Sequence, residues 1–256
     1  MGFSLPIFLV IGLLKSEKGK EKLSLSNSLW IISLGFLGYY AASYFDFKGL
    51  IYLDASLERL ILFIYPTIVV LLAAAVFKKK VGVQKSIAVI ISYIGLAVIF
   101  LPDLLQKETN FNYLGVILIL LSAVTYATYL VASQHFIPKI GTTRFTTFAM
   151  VVSCICVIIH YLIVSDLGIF QLSVDLYLFG IYMAVFATVI PAYLVSAAIE
   201  RLGSARLAII GCLGPVSTIT LSVFLLEEQI TWNQIIGGII IVIGVVWINL
   251  QKAKDD

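Results

Sequence analysis

The sequence predicts an all-α polytopic membrane protein made of two inverted repeats, each with up to five transmembrane helices. The first observation behind this prediction is composition. Of the 256 residues, 61% are apolar and only 12% are charged, with a mean hydropathy of +1.07. Soluble domains carry about 25% charged residues, so most of this apolar surface is expected to face lipid or another helix. The other two observations are a series of long apolar runs and an internal repeat.

The apolar runs predict about eight full membrane spans and a short N-terminal stub. A helix needs about 20 residues to cross a bilayer, and each of the eight runs reaches or approaches that length. The stub, residues 3–14, is too short to cross alone. The eight runs cover residues 29–47, 54–77, 86–101, 113–133, 145–164, 177–198, 203–225 and 233–250.

The internal repeat relates residues 53–98 to residues 202–247, without a gap and at a distance of 149 positions. The polar joint of the first copy is Lys78-Lys79-Lys80, whereas the second copy has Glu227-Glu228. Equivalent joints of opposite charge are expected on opposite sides of the membrane, which is the inverted-repeat architecture of many transporters. The coinciding residues are Leu53 and Leu202, Pro66 and Pro215, Leu72 and Leu221, and Gly95 and Gly244.

Loop charges predict the orientation of the chain. Of its 17 lysines and arginines, 14 lie in alternate loops and the C-terminal tail. The positive-inside rule places these pieces in the cytoplasm. We therefore expect a multi-pass protein of the cell membrane, inner or plasma, with a cytoplasmic C-terminus and the lipid bilayer as a partner. The loops are residues 15–28, 77–85, 134–144 and 199–206.

We divide the chain into a first repeat over residues 1–107 and a second repeat over residues 108–256. The second repeat holds five spans, whereas the first holds three and the stub. We expect the first repeat to be N-terminally incomplete, with one span and part of the next one missing. A genuine short form of the protein is the alternative.

The second copy resembles the drug/metabolite transporter superfamily, specifically its EamA-type exporters. The first copy, around Pro66 and Gly95, resembles the same family more weakly, and the resemblance covers roughly residues 5–250. It implies ten helices in two inverted repeats, a central substrate cavity, and efflux of amino acids, other metabolites or drugs. The residues that support it are Pro215, Glu227-Glu228, Ile230-Thr231, Gln234, Gly237-Gly238 and Gly244.

Two departures from the family pattern stand out. Lys78-Lys79-Lys80 replaces the acidic residue usual at the end of that first-repeat span, and we expect the first helix, which helps to line the cavity in relatives, to be missing. The second departure leaves open an inactive fragment or a non-transporting membrane scaffold.

Paired prolines are the first candidates for a role in transport. Pro66 and Pro215 fall near the middle of their spans. A proline inside a helix removes one backbone hydrogen bond and kinks the helix. We therefore predict that both prolines bend the helices around a central cavity, although a tolerated kink is the alternative.

Hydroxyl-bearing side chains are the candidate substrate contacts. In the span 113–133, Tyr126 and Tyr129 lie with Ser122 and Ser133 on one helical face. Such a face is expected to meet water or another helix rather than lipid, so cavity lining and helix packing both explain it. The predicted substrate-binding residues are Tyr40, Tyr126, Tyr129, Thr188 and Ser217.

Few ionisable residues lie within the spans, where they are costly and therefore functional candidates. Asp46 and Arg59 form a candidate charge pair near the outer ends of two spans. Gly237, Gly238 and Gly244 are explained by close helix packing, and they also leave open a homodimer.

Missing motifs narrow the function further. The chain has no GxxxxGK[ST] phosphate loop, HExxH motif or catalytic triad arrangement, so we predict no catalytic residues, no metal, no cofactor and no enzyme activity. Its scattered basic residues are not a nucleic-acid-binding pattern. The predicted partner is a small-molecule substrate.

Overall fold

The computed structural model describes residues 1–14, 25–78, 81–106, 112–164, 173–226 and 230–250. Within these ranges the regular structure is entirely helical. The predicted all-α class is therefore confirmed. The joints Lys79-Lys80 and Glu227-Glu228 lie outside the described residues.

The helices follow one another along the described chain with short connections. A 3₁₀ turn, Gly2–Ser4, precedes α1, and π-helical segments occupy Phe36–Ala41 and Ala184–Val189. The α-helices are α1 (Leu5–Leu14), α2 (Leu25–Gly35), α3 (Ala42–Leu50), α4 (Ala55–Leu62), α5 (Tyr65–Val76), α6 (Val83–Gln106), α7 (Tyr113–Ile140), α8 (Thr142–Val164), α9 (Val174–Met183), α10 (Ile190–Leu202), α11 (Ser204–Gly211), α12 (Gly214–Leu226) and α13 (Trp232–Leu250).

Seven helical stretches of the described chain are long and apolar enough to cross a membrane, and each overlaps a predicted span. The eighth predicted span coincides with α13, whose apolar part, Trp232–Trp247, is shorter. The predicted stub coincides with the short apolar helix Gly2–Leu14. The number of helices in each repeat stays a prediction. The seven stretches are Asn27–Leu50, Leu57–Val76, Val83–Pro102, Tyr113–Ile140, Thr142–Val164, Val174–Leu202 and Ser204–Leu221.

Interruptions of the spans recur at repeat-related positions. The break between α4 and α5 falls at Phe63 and Ile64, and 149 positions later Cys212 and Leu213 separate α11 from α12. The π-helical segments also lie 148 positions apart, from Phe36 to Ala184. The two copies therefore share the position of a break, and the spans that precede them share a π-helical segment.

The prolines Pro66 and Pro215 each stand at the second residue of the helix that follows a break. The first turn of a helix tolerates proline because its backbone N–H groups have no partner within the helix. Each proline thus lies in the first turn of the helix that follows a break, and the predicted bend around a cavity stays a prediction.

The described helices group into two compact units. The first consists of residues 1–43 and 128–203. Its core contains Phe8, Met150 and Val189, all buried. Within it α1 and α8 run antiparallel, because Gly2 lies beside Ile158 while Gly12 lies beside Thr147.

The second unit consists of the described parts of residues 44–127 and 204–256. Its main contact joins α6 to α13. Gly95 lies against the backbone of Gly237, and Gly244 lies against Ala88. Since the partner's number falls as the residue number on α6 rises, the two helices are antiparallel.

This contact has the symmetry of the sequence repeat. Adding 149 to a residue number of α6 gives its repeat equivalent on α13: Gly95 becomes Gly244 and Ala88 becomes Gly237. The contact of Gly95 with Gly237 is therefore the repeat equivalent of the contact of Gly244 with Ala88. Equivalent helices that pair antiparallel are what an inverted repeat predicts. Gly237 and Gly244 therefore serve helix packing within this unit.

The compact units do not coincide with the predicted repeats, residues 1–107 and 108–256. Each unit takes helices from both halves of the sequence. The repeat division concerns equivalence along the chain, which spatial grouping does not test, and it stays a prediction.

Candidate functional site

The break between α4 and α5 is held by two hydroxyl groups of the second unit. Thr67 Oγ1 and the Tyr93 hydroxyl lie 2.6 Å apart, and the Tyr93 hydroxyl donates to the Ile64 carbonyl at 3.3 Å. The consistent arrangement is that Thr67 donates to Tyr93, which in turn donates to Ile64. The Ile64 carbonyl also accepts from the backbone N–H groups of Thr67 and Ile68, at 3.1 and 3.3 Å, so the Tyr93 hydroxyl adds to a carbonyl that the backbone already bonds.

The break between α11 and α12 is held in a related way. The Ser217 hydroxyl donates to the Leu213 carbonyl at 3.2 Å. Leu213 is the repeat equivalent of Ile64, so a side-chain hydroxyl reaches the same carbonyl in both copies. The Tyr65 hydroxyl donates to the Ala208 carbonyl, one turn before this break, at 3.3 Å.

Tyr65 and Tyr126 form an aromatic pair next to the second break. Their ring centroids are 5.5 Å apart in an edge-to-face arrangement, a favourable geometry for two aromatic rings. The Tyr65 hydroxyl lies directly against Gly211, where a side chain would have no room. Tyr126, a predicted substrate contact, is half-buried here.

A cavity of about 450 Å³ lies beside the first break. Its wall is apolar apart from Tyr93, the residue that also supports the break. The volume falls within the range of about 300–1,000 Å³ typical of small-molecule pockets. Side chains of α4, the break itself, α6 and α7 line it: Leu60, Ile61, Phe63, Ile64, Tyr93, Leu96, Ala97, Val116 and Leu120.

In the first unit, the predicted contact Tyr40 belongs to the π-helical segment Phe36–Ala41. Its hydroxyl lies 3.1 Å from His160 Nδ1, and the two rings meet edge to face. This bond ties the irregular backbone to α8, and both side chains are half-buried. Tyr40 therefore combines a polar partner with a position in a π-helical segment, a type of helix often found at functional sites.

The predicted contact Tyr129 is fully buried in the first unit. Its ring packs against Tyr39 and Phe145 and fills the space left by Gly38. In this conformation the side chain takes part in helix packing, which was the alternative explanation for its stripe. Its contact with a solute stays a prediction.

The predicted contact Thr188 lies in the other π-helical segment, Ala184–Val189. It is half-buried, and its hydroxyl donates to the Met183 carbonyl, five residues earlier, at 3.5 Å. Five-residue spacing is the mark of a π-helical turn, which often occurs at functional sites. The site role of Thr188 stays a prediction.

The candidate charge pair Asp46 and Arg59 lies in the second unit with a third member, Glu58. The Asp46 Oδ1 atom is buried and accepts no hydrogen bond from the described residues. Glu58 is only 5% exposed. The sequence interpretation named Asp46 and Arg59 as the pair and gave Glu58 no partner.

The five predicted substrate contacts divide between the two units. Tyr40, Tyr129 and Thr188 belong to the first, and Tyr126 and Ser217 belong to the second. The sequence interpretation missed Tyr65, Thr67 and Tyr93, although the position of Tyr65 immediately before Pro66 was a signal. Among the described residues, no group of three or more histidine, cysteine or acidic side chains could hold a metal ion.

Comparison with known proteins identifies the family. A family model described as the EamA-like transporter family matches residues 1–101 and 113–250. The chain belongs to the EamA-like transporter family. This EamA-family chain is thus a multi-pass membrane protein, as its apolar helices also indicate.

Relatives of this EamA-family chain include uncharacterized transporters. YcbK of Bacillus subtilis is 30% identical over 99% of this chain and 83% of its own length. YyaM of the same organism is 23% identical over 95% of this chain and 80% of its own length. A protein of known crystal structure has the same fold, with a TM-score of 0.80 at 15% identity over 100% of this chain and 86% of that one.

Replacing Tyr93 with phenylalanine is expected to destabilise the EamA-family chain modestly. The change removes the hydrogen bonds to Thr67 and Ile64, and one such bond contributes about 0.5–1.5 kcal/mol. Thermal unfolding in detergent measures the effect. Tyr52→Phe, in the same unit, is the control because the described structure gives the Tyr52 hydroxyl no hydrogen bond; equal melting temperatures for the two variants would contradict the role of Tyr93.

Proposed function

We propose that this EamA-family chain exports or exchanges a small organic solute by alternating access. The observation that supports the proposal is the pair of interrupted spans at repeat-related positions. In each span a side-chain hydroxyl donates to the carbonyl of the last residue of the break, Ile64 or Leu213. Discontinuous helices near the bilayer midplane form substrate sites in many secondary transporters.

The solute class that fits is amino acid-like or drug-like. The candidate residues offer hydroxyl groups and aromatic rings rather than charges, and the cavity beside the first break is mainly apolar. Such a lining suits a solute with an apolar part and a few hydrogen-bonding groups. The family of this chain is described as one of transporters, which favours transport over catalysis.

We further propose the cell membrane as its location, with the C-terminus in the cytoplasm. The support is the concentration of lysine and arginine in alternate loops. A reporter that is active only in the cytoplasm, fused after Asp256, is expected to be active.

A homodimer is compatible with the outward apolar face of α13, where Ile239 and Val246 are exposed, and cross-linking in the membrane tests it.

Efflux from proteoliposomes tests the transport proposal. The purified chain is reconstituted around a mixed metabolite pool, and mass spectrometry follows the solutes that appear outside. Protein-dependent release of one or more metabolites is expected. Silence from protein shown to be folded would favour a non-transporting scaffold or an inactive fragment, the alternative reading of the sequence.

Replacing Tyr126 with phenylalanine and Thr188 with valine is expected to alter the flux or its selectivity. Each change removes one hydroxyl, and one lost hydrogen bond of about 0.5–1.5 kcal/mol corresponds to roughly a two- to tenfold lower affinity. Initial rates over a range of solute concentrations measure the effect. Tyr182→Phe, an exposed tyrosine of α9, is the control; unchanged flux and selectivity in the double variant would show that these residues do not line the site.

A further inference from the structure

The last turn of α7 carries a cation that is held in place on the surface of the first unit. Lys139 and His135 are four residues apart and both exposed, and Lys139 Nζ lies 2.8 Å from His135 Nε2. An ammonium group can only donate hydrogen bonds, so Lys139 donates and the imidazole accepts through Nε2. Two of the three ammonium N–H groups remain for another acceptor. Because the bond fixes the position of the charge, less side-chain entropy is lost when a ligand binds it.

An exposed tryptophan lies beside this cation. The ring of Trp30, on α2, packs on Phe136 with the centroids 6.5 Å apart. The Phe136 ring in turn meets the His135 ring edge to face, at 5.2 Å. Trp30 is 57% exposed. These contacts form a continuous strip across α2 and α7, which we call the α7 strip: Trp30, Phe136, His135 and Lys139.

Both helices reach the boundary of the membrane at the α7 strip. Trp30 lies close to the start of the apolar stretch Asn27–Leu50, and Lys139 lies next to the end of the stretch Tyr113–Ile140. Tryptophan and lysine anchor helices at the level of the headgroups, because each joins an apolar body to a polar or charged tip. We therefore expect the α7 strip to meet the headgroups of one leaflet.

The outer face of α2 continues from the strip with apolar side chains. Leu29, Ile32 and Phe36 are all exposed. They lie three or four residues apart and so share one side of the helix. An acyl chain can cover them while its headgroup stays beside Trp30 and Lys139. This combination fits a phospholipid rather than a free phosphate ion, which would contact none of the apolar side chains.

The charge around the strip favours an anionic headgroup. The ends of α7, α8 and α10 meet here, because Thr142 donates to Glu200 and Gly203 lies beside the Gln134 side chain. Residues 25–36 of α2 and its π-helical segment carry no charge. Each lysine or arginine near an anionic lipid surface contributes about fivefold in affinity. Three cations and one carboxylate at these helix ends leave a net charge of +2: Lys139, Arg144, Arg201 and Glu200.

We propose that the α7 strip binds one anionic phospholipid. Its phosphate accepts hydrogen bonds from the Lys139 ammonium, its glycerol region lies beside Trp30, and one acyl chain lies along the apolar face of α2. His135 is a positioning residue, because it holds the ammonium group. The lipid is a partner of the protein whether or not the protein transports a solute, so the inference does not depend on the proposed function.

Quenching of Trp30 fluorescence by brominated lipids tests the site. Trp232→Phe and Trp247→Phe make Trp30 the sole tryptophan, and the protein is reconstituted in mixtures of phosphatidylglycerol and phosphatidylcholine. Bromine is placed on the acyl chains of one lipid or the other, and the two degrees of quenching give the relative affinity at the indole. We expect phosphatidylglycerol to bind about fivefold more tightly. Lys139→Gln should bring this ratio close to one.

Two controls separate a local site from the general attraction of a basic protein to an anionic membrane. Lys48→Gln removes the same charge from an exposed position near the far end of the span that starts by Trp30, and it should keep the preference. A protein with Trp232 as its sole tryptophan should show no preference, because α13, where that exposed side chain lies, has no charged residue. Circular dichroism verifies that each variant is folded.

Three results would overturn the proposal. The first is equal quenching of Trp30 by the two brominated lipids, or a preference that survives Lys139→Gln. The second is an equal preference at Trp232, which would indicate a general surface effect. The third is no quenching of Trp30 by either lipid, which would show that protein, such as a second copy of this chain, covers the strip.

Discussion

Replacing Gly237 with alanine is expected to destabilise the protein, whereas the same change at the adjacent Gly238 is expected to be harmless. A Cβ atom at position 237 would lie 2.6 Å from the Gly95 carbonyl oxygen and 3.1 Å from the Ile99 backbone nitrogen. Backbone atoms cannot turn aside as a side chain can, so α6 and α13 would have to separate. Overpacking of this kind costs about 1–3 kcal/mol.

Gly238, the next residue of α13, provides a matched control for the substitution of Gly237. A Cβ atom at position 238 would meet only Val216, at 3.7 Å, an ordinary van der Waals distance. Since alanine favours a helix over glycine by about 1 kcal/mol, Gly238→Ala should leave stability unchanged or raise it. Thermal unfolding of both variants in the same detergent measures the difference. Equal effects would show that α13 does not pack on α6 through Gly237.

Replacing Pro66 and Pro215 together with alanine is expected to slow transport while the protein stays folded. Each proline starts the half-helix after a break, and alanine would allow a continuous helix there because it restores the N–H group and removes the ring. A continuous span would lose its hinge, and hinge changes alter both rate and apparent affinity. We expect an initial rate lower by roughly tenfold, about 1.4 kcal/mol in the barrier.

Proteoliposome flux of the double variant measures this effect against Pro138→Ala. Pro138 lies near the end of the uninterrupted helix α7, so its replacement should leave the rate unchanged. Size-exclusion chromatography and helical content confirm that each variant is folded. If the double variant transports as fast as the wild type, the helix breaks have no role in the transport cycle.

The spans and the repeat could be predicted because they depend on local properties of the sequence. Apolar runs of membrane length and the coincidence of Pro66 with Pro215 are visible without any tertiary contact. The structure adds that the backbone is interrupted before both prolines. The π-helical segments had no comparable signal, since only one of them, Ala184–Val189, is followed by a proline, Pro191.

The candidate site was harder to predict because its contacts cross between helices. Tyr126 and Tyr129 share one stripe of α7, yet Tyr126 packs on Tyr65 while Tyr129 is enclosed by Phe145 and Tyr39 in the other unit. A helical stripe indicates which side chains share a face, but not what covers each of them.

The roles of Thr67 and Tyr93 were missed for the same reason. They lie 26 positions apart on α5 and α6 and meet only after folding, beside the break between α4 and α5. For the glycines of α13, by contrast, the sequence did indicate the alternatives. Their sequence allowed either a dimer face or internal packing, and the approach of Gly95 to Gly237 shows internal packing.

Exchange across proteoliposomes tests the central claim most directly. Vesicles containing the protein are loaded with a mixed metabolite pool and diluted into buffer with or without the same pool outside. Alternating access predicts protein-dependent release of at least one metabolite, and faster release when the pool is present on the far side. Release no faster than from protein-free vesicles, with folded protein in the membrane, would contradict the account.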